Sequence, residues 1–164
     1  MGSEMCIRDR AWLTPSETTH LTSITIPDTV TSIGNYAFSN CKKLTAISIP
    51  DSVTSISDSA FSDCQKLASV QWSQNLQTIG RSSFSGCSSL ENIVVPKTVK
   101  TVGASAFYNC TSISSVSFTD NPKGGFYVDI QSSAFSNCTA LKDISFSKNI
   151  KYLRSSAFYG CSSL

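Results

Sequence analysis

The sequence predicts a repeat solenoid, a stack of short strands and single helical turns, and three observations lead to this prediction. A Leu or Ile recurs at a period of 23 residues. The other apolar residues keep fixed offsets within each unit, and one Cys occupies the same place in every unit. A unit of this length cannot bury both of its faces alone, so the units are expected to stack and share one core.

Six units follow one another from Leu21. Their ranges are 21–43, 44–66, 67–89, 90–112, 113–140 and 141–163, and a seventh opens at Leu164. The fifth unit is 28 residues long because an insertion at 119–125 replaces the Pro-containing turn of its neighbours. The chain stops without a visible cap, and solenoids need capped ends, so we expect a fragment of a longer protein.

Residues 1–20 precede the repeats and are predicted to be a leader that is non-native or disordered. The string from Met5 to Arg10 looks like translated sequencing-adapter read-through, and a genuine disordered N-terminus is the alternative. Neither interpretation gives a signal peptide, because the apolar core of roughly 7–15 residues that one needs is missing.

Each unit is expected to begin with a strand. Ile24 and Ile26 alternate with Ser23 and Thr25, which is the period of a strand with one buried face. Pro27 ends this strand, because it has no N–H to donate to a ladder.

A second extended piece and a turn complete the unit. Val30 and Ile33 anchor the extended piece, and Gly34 marks a turn after it. Ala37 and Phe38 then point inward, in a segment too short for more than one helical turn. The residue before each repeat Cys is of a type that tolerates positive φ, which predicts a left-handed cap at Asn40, Asp63, Gly86, Asn109, Asn137 and Gly160.

The pattern Leu-x-x-Ile-x-Ile-Pro-x-x-Val-x-x-Ile-Gly-x-x-Ala-Phe-x-x-Cys resembles the BspA-like, or Treponema-type, leucine-rich repeat, over residues 21–164. The resemblance implies a right-handed, β-solenoid-like horseshoe. It also implies surface-exposed or secreted proteins of bacteria and some protists, which bind host proteins or other cells. It implies nothing about the insertion.

Composition argues against an enzyme and against a nucleic-acid partner. The net charge is only +2, from 13 basic and 11 acidic residues, whereas nucleic-acid binding usually needs a concentrated basic face. A single His removes most His-based catalysis and most zinc sites. We therefore expect no catalytic residues, no cofactor and no metal, and no apolar run reaches the roughly 20 residues of a membrane span.

The cysteines and phenylalanines are predicted to be structural. Zinc ligands come in pairs two to four residues apart, but here one Cys occurs per unit, at Cys41, Cys64, Cys87, Cys110, Cys138 and Cys161. Stacked side chains point the same way, so a ladder of buried free thiols is favoured over disulfides between units or a metal site. One Phe per unit, beside a small Ala or Ser, predicts an internal aromatic spine rather than a stacking platform for a ligand.

A partner is expected to contact the irregular edge near the Pro turn, because the exposed strand positions carry small neutral side chains. The candidate contact residues are Asp120, Asn121, Lys123, Lys97, Lys100, Lys148, Lys151 and Arg154. The alternatives are that these charges are merely solvated and that the insertion is neutral drift. After the insertion, one of Phe126, Tyr127 and Val128 must fill the buried position that Val30 occupies in the first unit, and the offset from Ile130 favours Tyr127.

These observations lead to one functional hypothesis and two alternatives. The segment is predicted to bind a host, matrix or cell-surface protein, as part of an adhesin-like protein at the cell surface or outside the cell. It could instead be a structural spacer without a ligand, or an intracellular scaffold.

Overall fold

The structure, a computed structural model, describes residues 5–7, 20–122 and 126–164. The six units stack with their strands parallel. Each unit contributes at most two short strands and the turn that precedes its Cys. The predicted repeat solenoid is therefore confirmed. Three walls enclose the core: a long sheet, a broken sheet and a wall of turns.

The long sheet contains the second extended piece of every unit. Its strands, numbered in chain order over the whole molecule, are β1 (Met5–Ile7), β2 (Val30–Ile33), β4 (Ser55–Ile56), β6 (Thr78–Ile79), β8 (Thr101–Val102), β10 (Val128–Ile130) and β12 (Ile150–Leu153). Ile33, Ile56 and Ile79 lie in register, so each unit adds one aliphatic side chain to a buried column. The pairing is unbroken from β1 to β12.

The broken sheet contains the first strand of units two to six. Its members are β3 (Ala46–Ser48), β5 (Ser69–Gln71), β7 (Asn92–Val95), β9 (Ser115–Phe118) and β11 (Asp143–Ser145). β3 pairs only with β5, whereas β7, β9 and β11 form a separate sheet. In the first unit the predicted alternation is present, with Ile26 buried and Thr25 exposed, but no strand forms there.

The segment predicted to be a leader contributes the first strand of the long sheet. β1 pairs in parallel with β2, and Ile7 lies opposite Ile33. This pairing was not expected from the sequence, because 1–10 lacks the repeat pattern. The remainder of the prediction for 1–20 falls almost entirely outside the described residues.

The wall of turns differs from the predicted helical turns. Tyr36 has φ 57° and Asn40 has φ 62°, so two left-handed residues interrupt each turn and no helix can form. The cap before each Cys is confirmed in all six units. The second left-handed position was not predicted, and five of its six occupants are serines: Tyr36, Ser59, Ser82, Ser105, Ser133 and Ser156.

Backbone hydrogen bonds join the turns of neighbouring units in one direction. The Tyr36, Phe38 and Asn40 amides donate to carbonyls of the second unit, over 3.1, 2.7 and 2.7 Å, and the later units repeat this arrangement. Every second amide of the turn is satisfied in this way, while the intervening amides bond within the turn. Left-handed residues can therefore lie at the edge of a buried core without leaving amides unpaired.

The predicted aromatic spine is confirmed. Phe38, Phe61, Phe84, Phe107, Phe135 and Phe158 stack in order, with centroids 5.0–5.4 Å apart and interplanar angles of 16° or less. The first five are fully buried. Stacked pairs add stabilisation of roughly 0.5–1.5 kcal/mol each beyond the apolar area that they bury.

Candidate interaction surface

The predicted contact residues separate into several places. Asp120 and Asn121 form a corner with the sixth unit, because the Asp120 carboxylate accepts from the Lys148 amide over 2.9 Å. The Asn121 amide donates to the Asn149 side-chain oxygen over 3.0 Å. Lys123 lies outside the described residues. Asp120 and Asn121 of the insertion are therefore hydrogen-bonded to the sixth unit.

Lys100, Lys151 and Arg154 project from the long sheet and meet aromatic side chains that sequence reasoning did not select. We call this cluster the aromatic–basic patch and define it as Lys100, Phe126, Tyr127, Lys151, Tyr152 and Arg154. The Lys100 ammonium lies 5.4 Å from the centroid of the Phe126 ring. The Lys151 ammonium lies 4.4 Å from Tyr127 and 5.4 Å from Tyr152. Contacts of this length are cation–π interactions, which hold the rings and ammonium groups together at the surface.

An ion pair with Asp129 fixes the position of Arg154 in the patch. The Arg154 guanidinium donates to both Asp129 carboxylate oxygens, and its shortest bonds are 2.8 Å. These hydrogen bonds, followed by the attraction between the charges, raise the pKa of Arg154 above its ordinary value. Because Asp129 neutralises Arg154, the net positive charge of the patch comes from Lys100 and Lys151.

The expectation for Tyr127 is wrong. Val128 fills the buried position opposite Ile150, whereas 61% of the Tyr127 surface is exposed. The physical reason is a register shift between Val128 and Asp129, which places one residue fewer between the two buried positions of this strand than in the first unit. Tyr127 is thereby free to lie on the surface under Lys151.

Lys97 lies apart from the patch, on the opposite side of the Pro-turn corner. It borders a groove of about 550 Å³ next to Trp72 and Val94 on the broken sheet. The seven described members of the predicted set thus lie in more than one place on the surface.

The repeat cysteines are free, as predicted, and five of the six are buried. The thiols of the second to sixth units each donate to the Phe carbonyl of the preceding unit, over 3.1–3.3 Å. Burial, and next to it the neighbouring Cys161, raises the pKa of Cys138 to about 12. Such thiols are poor nucleophiles, which supports a structural role.

The described residues contain no group of three or more His, Cys, Asp or Glu side chains that could hold a metal ion. Within the described ranges, no helix is suited to crossing a membrane.

Comparisons with known proteins identify the repeat. A profile of the BspA type leucine rich repeat region matches residues 16–124 and 125–164, in six copies. A leucine rich repeat protein of T. pallidum shares 33% identity and a TM-score of 0.74, over 84% of this chain and 62% of that one. A leucine rich cell surface protein of Faecalibacterium prausnitzii shares 33% identity and a TM-score of 0.63, over 75% of this chain and 31% of that one.

A leucine-rich repeat protein of Eubacterium ventriosum shares 27% identity and a TM-score of 0.74, over 85% of this chain and 36% of that one. The chain therefore spans between about a third and two thirds of the length of these structures. No curated protein matches it.

Proposed function

Since the chain belongs to the BspA-type leucine-rich repeat family, we propose that it is a protein-binding segment of an adhesin-like protein at the cell surface or outside the cell. The 33% identity to a leucine rich cell surface protein supports this location. The partner is then a host, matrix or cell-surface protein. We propose no catalytic function, because leucine-rich repeat families are typically non-enzymatic.

The aromatic–basic patch is the observation that carries the proposal. Tyr and Arg are enriched among the residues that dominate binding energy at protein interfaces, since they supply large, rigid and amphipathic contacts. Here Tyr127 and Tyr152 expose 61% and 46% of their surfaces and are held in place by Lys151. The outward strand positions of the first three units, such as Ser55 and Thr78, offer no comparable anchor.

The direct test is a binding screen of the chain against purified extracellular-matrix and host cell-surface proteins, followed by variants of the patch. For a partner that binds, Tyr127→Ala should raise Kd by at least about ten-fold, as expected for an interface anchor. Tyr36→Ala is the matched control, because Tyr36 is 54% exposed on the wall of turns and lies in the first unit. Equal losses in both variants would contradict this placement.

The charges give a second, kinetic readout. Replacing Lys100 and Lys151 with Gln should lower the association rate and flatten its dependence on salt, because exposed charges steer encounter. Replacing 119–125 with the Pro turn of the other units should weaken binding and preserve the fold. If no partner in the screen binds saturably, the result favours the spacer alternative.

A further inference from the structure

The broken sheet is interrupted between β5 and β7, next to an unusual core residue. Trp72 occupies the position that Ile26 and Ile49 hold in the first two units. Its ring meets Phe84 edge-on at 5.3 Å and also reaches Phe107 of the next unit at 6.4 Å. Trp72 therefore contacts the aromatic spine in both the third and the fourth units. The strands of these two units in the broken sheet, β5 and β7, do not pair.

A groove of about 550 Å³ lies at this unpaired boundary and crosses several units. Its walls include Ile49, Pro50, Trp72, Val94 and Pro96. Val94 is 55% exposed, whereas the corresponding outward positions in the other units are Thr25, Ser48, Gln71, Ser117 and Ser145. The exposed side chain of Val94 and the half-buried Pro50 give an apolar surface on which proline rings can pack, whereas Trp72 and Pro96 lie buried behind them.

Opposite charges stand at different units along the groove. Asp51 belongs to the second unit and Lys97 to the fourth, and both are exposed. Among the described residues the one ion pair is that of Arg154 with Asp129, so Asp51 and Lys97 are not paired with each other. Their units are two strand spacings apart, which corresponds to roughly 10 Å.

This separation matches the repeat of an extended proline-rich peptide. A polyproline II helix has three residues per turn and rises about 3.1 Å per residue, so side chains three positions apart point the same way at about 9 Å. A basic residue could thus face Asp51 while an acidic residue three positions away faces Lys97. The two residues between them would pack on Val94 and Pro50, and Gln71 and Gln74 also line the groove.

We propose that the groove beside Trp72 binds a polyproline II peptide segment with a basic and an acidic residue three positions apart and prolines between them. The site is separate from the aromatic–basic patch, and its partner can be a different protein. Either chain direction satisfies the charges, because a polyproline II helix presents similar surfaces in both directions.

The test uses labelled Lys-Pro-Pro-Glu, Lys-Pro-Pro-Lys and Glu-Pro-Pro-Glu peptides, each flanked by Ala, and measures fluorescence anisotropy. The mixed-charge peptide should bind about five-fold more tightly than either like-charged peptide, as exposed ion pairs permit. Lys97→Glu should reverse the preference in favour of Lys-Pro-Pro-Lys. Lys66→Glu is the matched control, because it changes the net charge equally at an exposed site outside the groove and should leave the preference unchanged.

Two outcomes would overturn the proposal. One is the absence of saturable binding of the mixed-charge peptide up to about 1 mM. The other is an unchanged order of affinities in Lys97→Glu, which would mean that any binding occurs elsewhere. Val94→Ser serves as a second variant, since it replaces the exposed apolar side chain with the Ser that three other units have at this position, and it should weaken binding of all three peptides alike.

Discussion

The long sheet and the broken sheet are built from the same repeat, yet only one of them is continuous. Along the long sheet the inward column holds side chains of similar size, Ile33, Ile56, Ile79 and Val102, and every step pairs. Along the broken sheet the inward position changes from Ile49 to Trp72 and then Val95, and pairing fails after Trp72. Side-chain volume alone does not decide this difference, because Ile49 and Trp72 directly follow the paired strands β3 and β5, and Val95 lies opposite Phe118 in the paired strands β7 and β9.

The largest expected effect comes from the spine, which supports both sheets. Phe84→Ala should lower the free energy of unfolding by about 3–5 kcal/mol, because it leaves a cavity in the centre of the stack. Urea titration measures the loss, and hydrogen exchange should accelerate in β6 and β7 alike. Phe146→Ala, which removes a half-exposed ring, should cost much less. Equal losses would mean that the spine is not the shared support.

High pH should lower the stability of both sheets together, because the thiols behind the wall of turns ionise more easily in the unfolded chain. The folded Cys138 has a pKa of about 12, against an ordinary value of 9.0, so unfolded thiols ionise first. Stability should therefore be constant below about pH 8 and should fall as the pH rises from 9 towards 12. Unfolding midpoints between pH 7 and 11 measure this, and Cys138→Ala should reduce the slope. An unchanged slope in that variant would contradict the assignment.

A glycine variant should affect the long sheet selectively. A Cβ atom at Gly80 would lie 2.6 Å from the Ser57 carbonyl carbon, closer than side chains approach backbone. Gly80→Ala should therefore cost about 2 kcal/mol, and hydrogen exchange should accelerate in β4 and β6 more than in β5. Ser57→Ala, at the corresponding position one unit earlier, should change little. Uniform acceleration in the two sheets would show that their stabilities are not separable.

The smallest effect is a gain in stability. Ser83 is fully buried beside the spine, and its hydroxyl has no hydrogen-bond partner, whereas all five other units have Ala there. Ser83→Ala should raise the free energy of unfolding by about 1 kcal/mol. The matched change Ser73→Ala should lower it, because the Ser73 hydroxyl donates to the Val53 carbonyl over 2.6 Å. A loss in both variants would point to a role for the Ser83 hydroxyl.

The regular parts of the fold could be predicted because they repeat. The period, the spine, the free thiols and the cap before each Cys follow from residue types at one offset, and each is confirmed. The second left-handed position was missed because it is held by Ser and Tyr, which do not signal positive φ. Hydrogen bonds between adjacent turns support that conformation, and a pattern within one unit does not contain them.

The candidate surfaces could be predicted only in part, because they arise where the repeat changes. The lysines near the Pro turn were identified from charge, but the aromatic partners of Lys100 and Lys151 were not. Tyr127 was assigned to the core by counting from Ile130, and the register shift after Val128 made that count wrong. The loss of pairing beside Trp72 could not be predicted, because it depends on how two units pack.

The one-way hydrogen bonds between turns give the wall of turns an electrical axis. At each boundary three peptide groups point their N–H towards the following unit and their C=O towards the preceding one, as those of Tyr36, Phe38 and Asn40 do. Each peptide group carries a dipole of about 3.5 D, and aligned dipoles add as they do along an α-helix. Within the wall of turns the positive end faces the later units, the reverse of a helix. Along the two sheets the opposite direction also occurs, since the Thr45, Thr54 and Ser57 amides donate back to the first unit. A segment that follows the last turn must therefore supply acceptors to the outward amides of that turn.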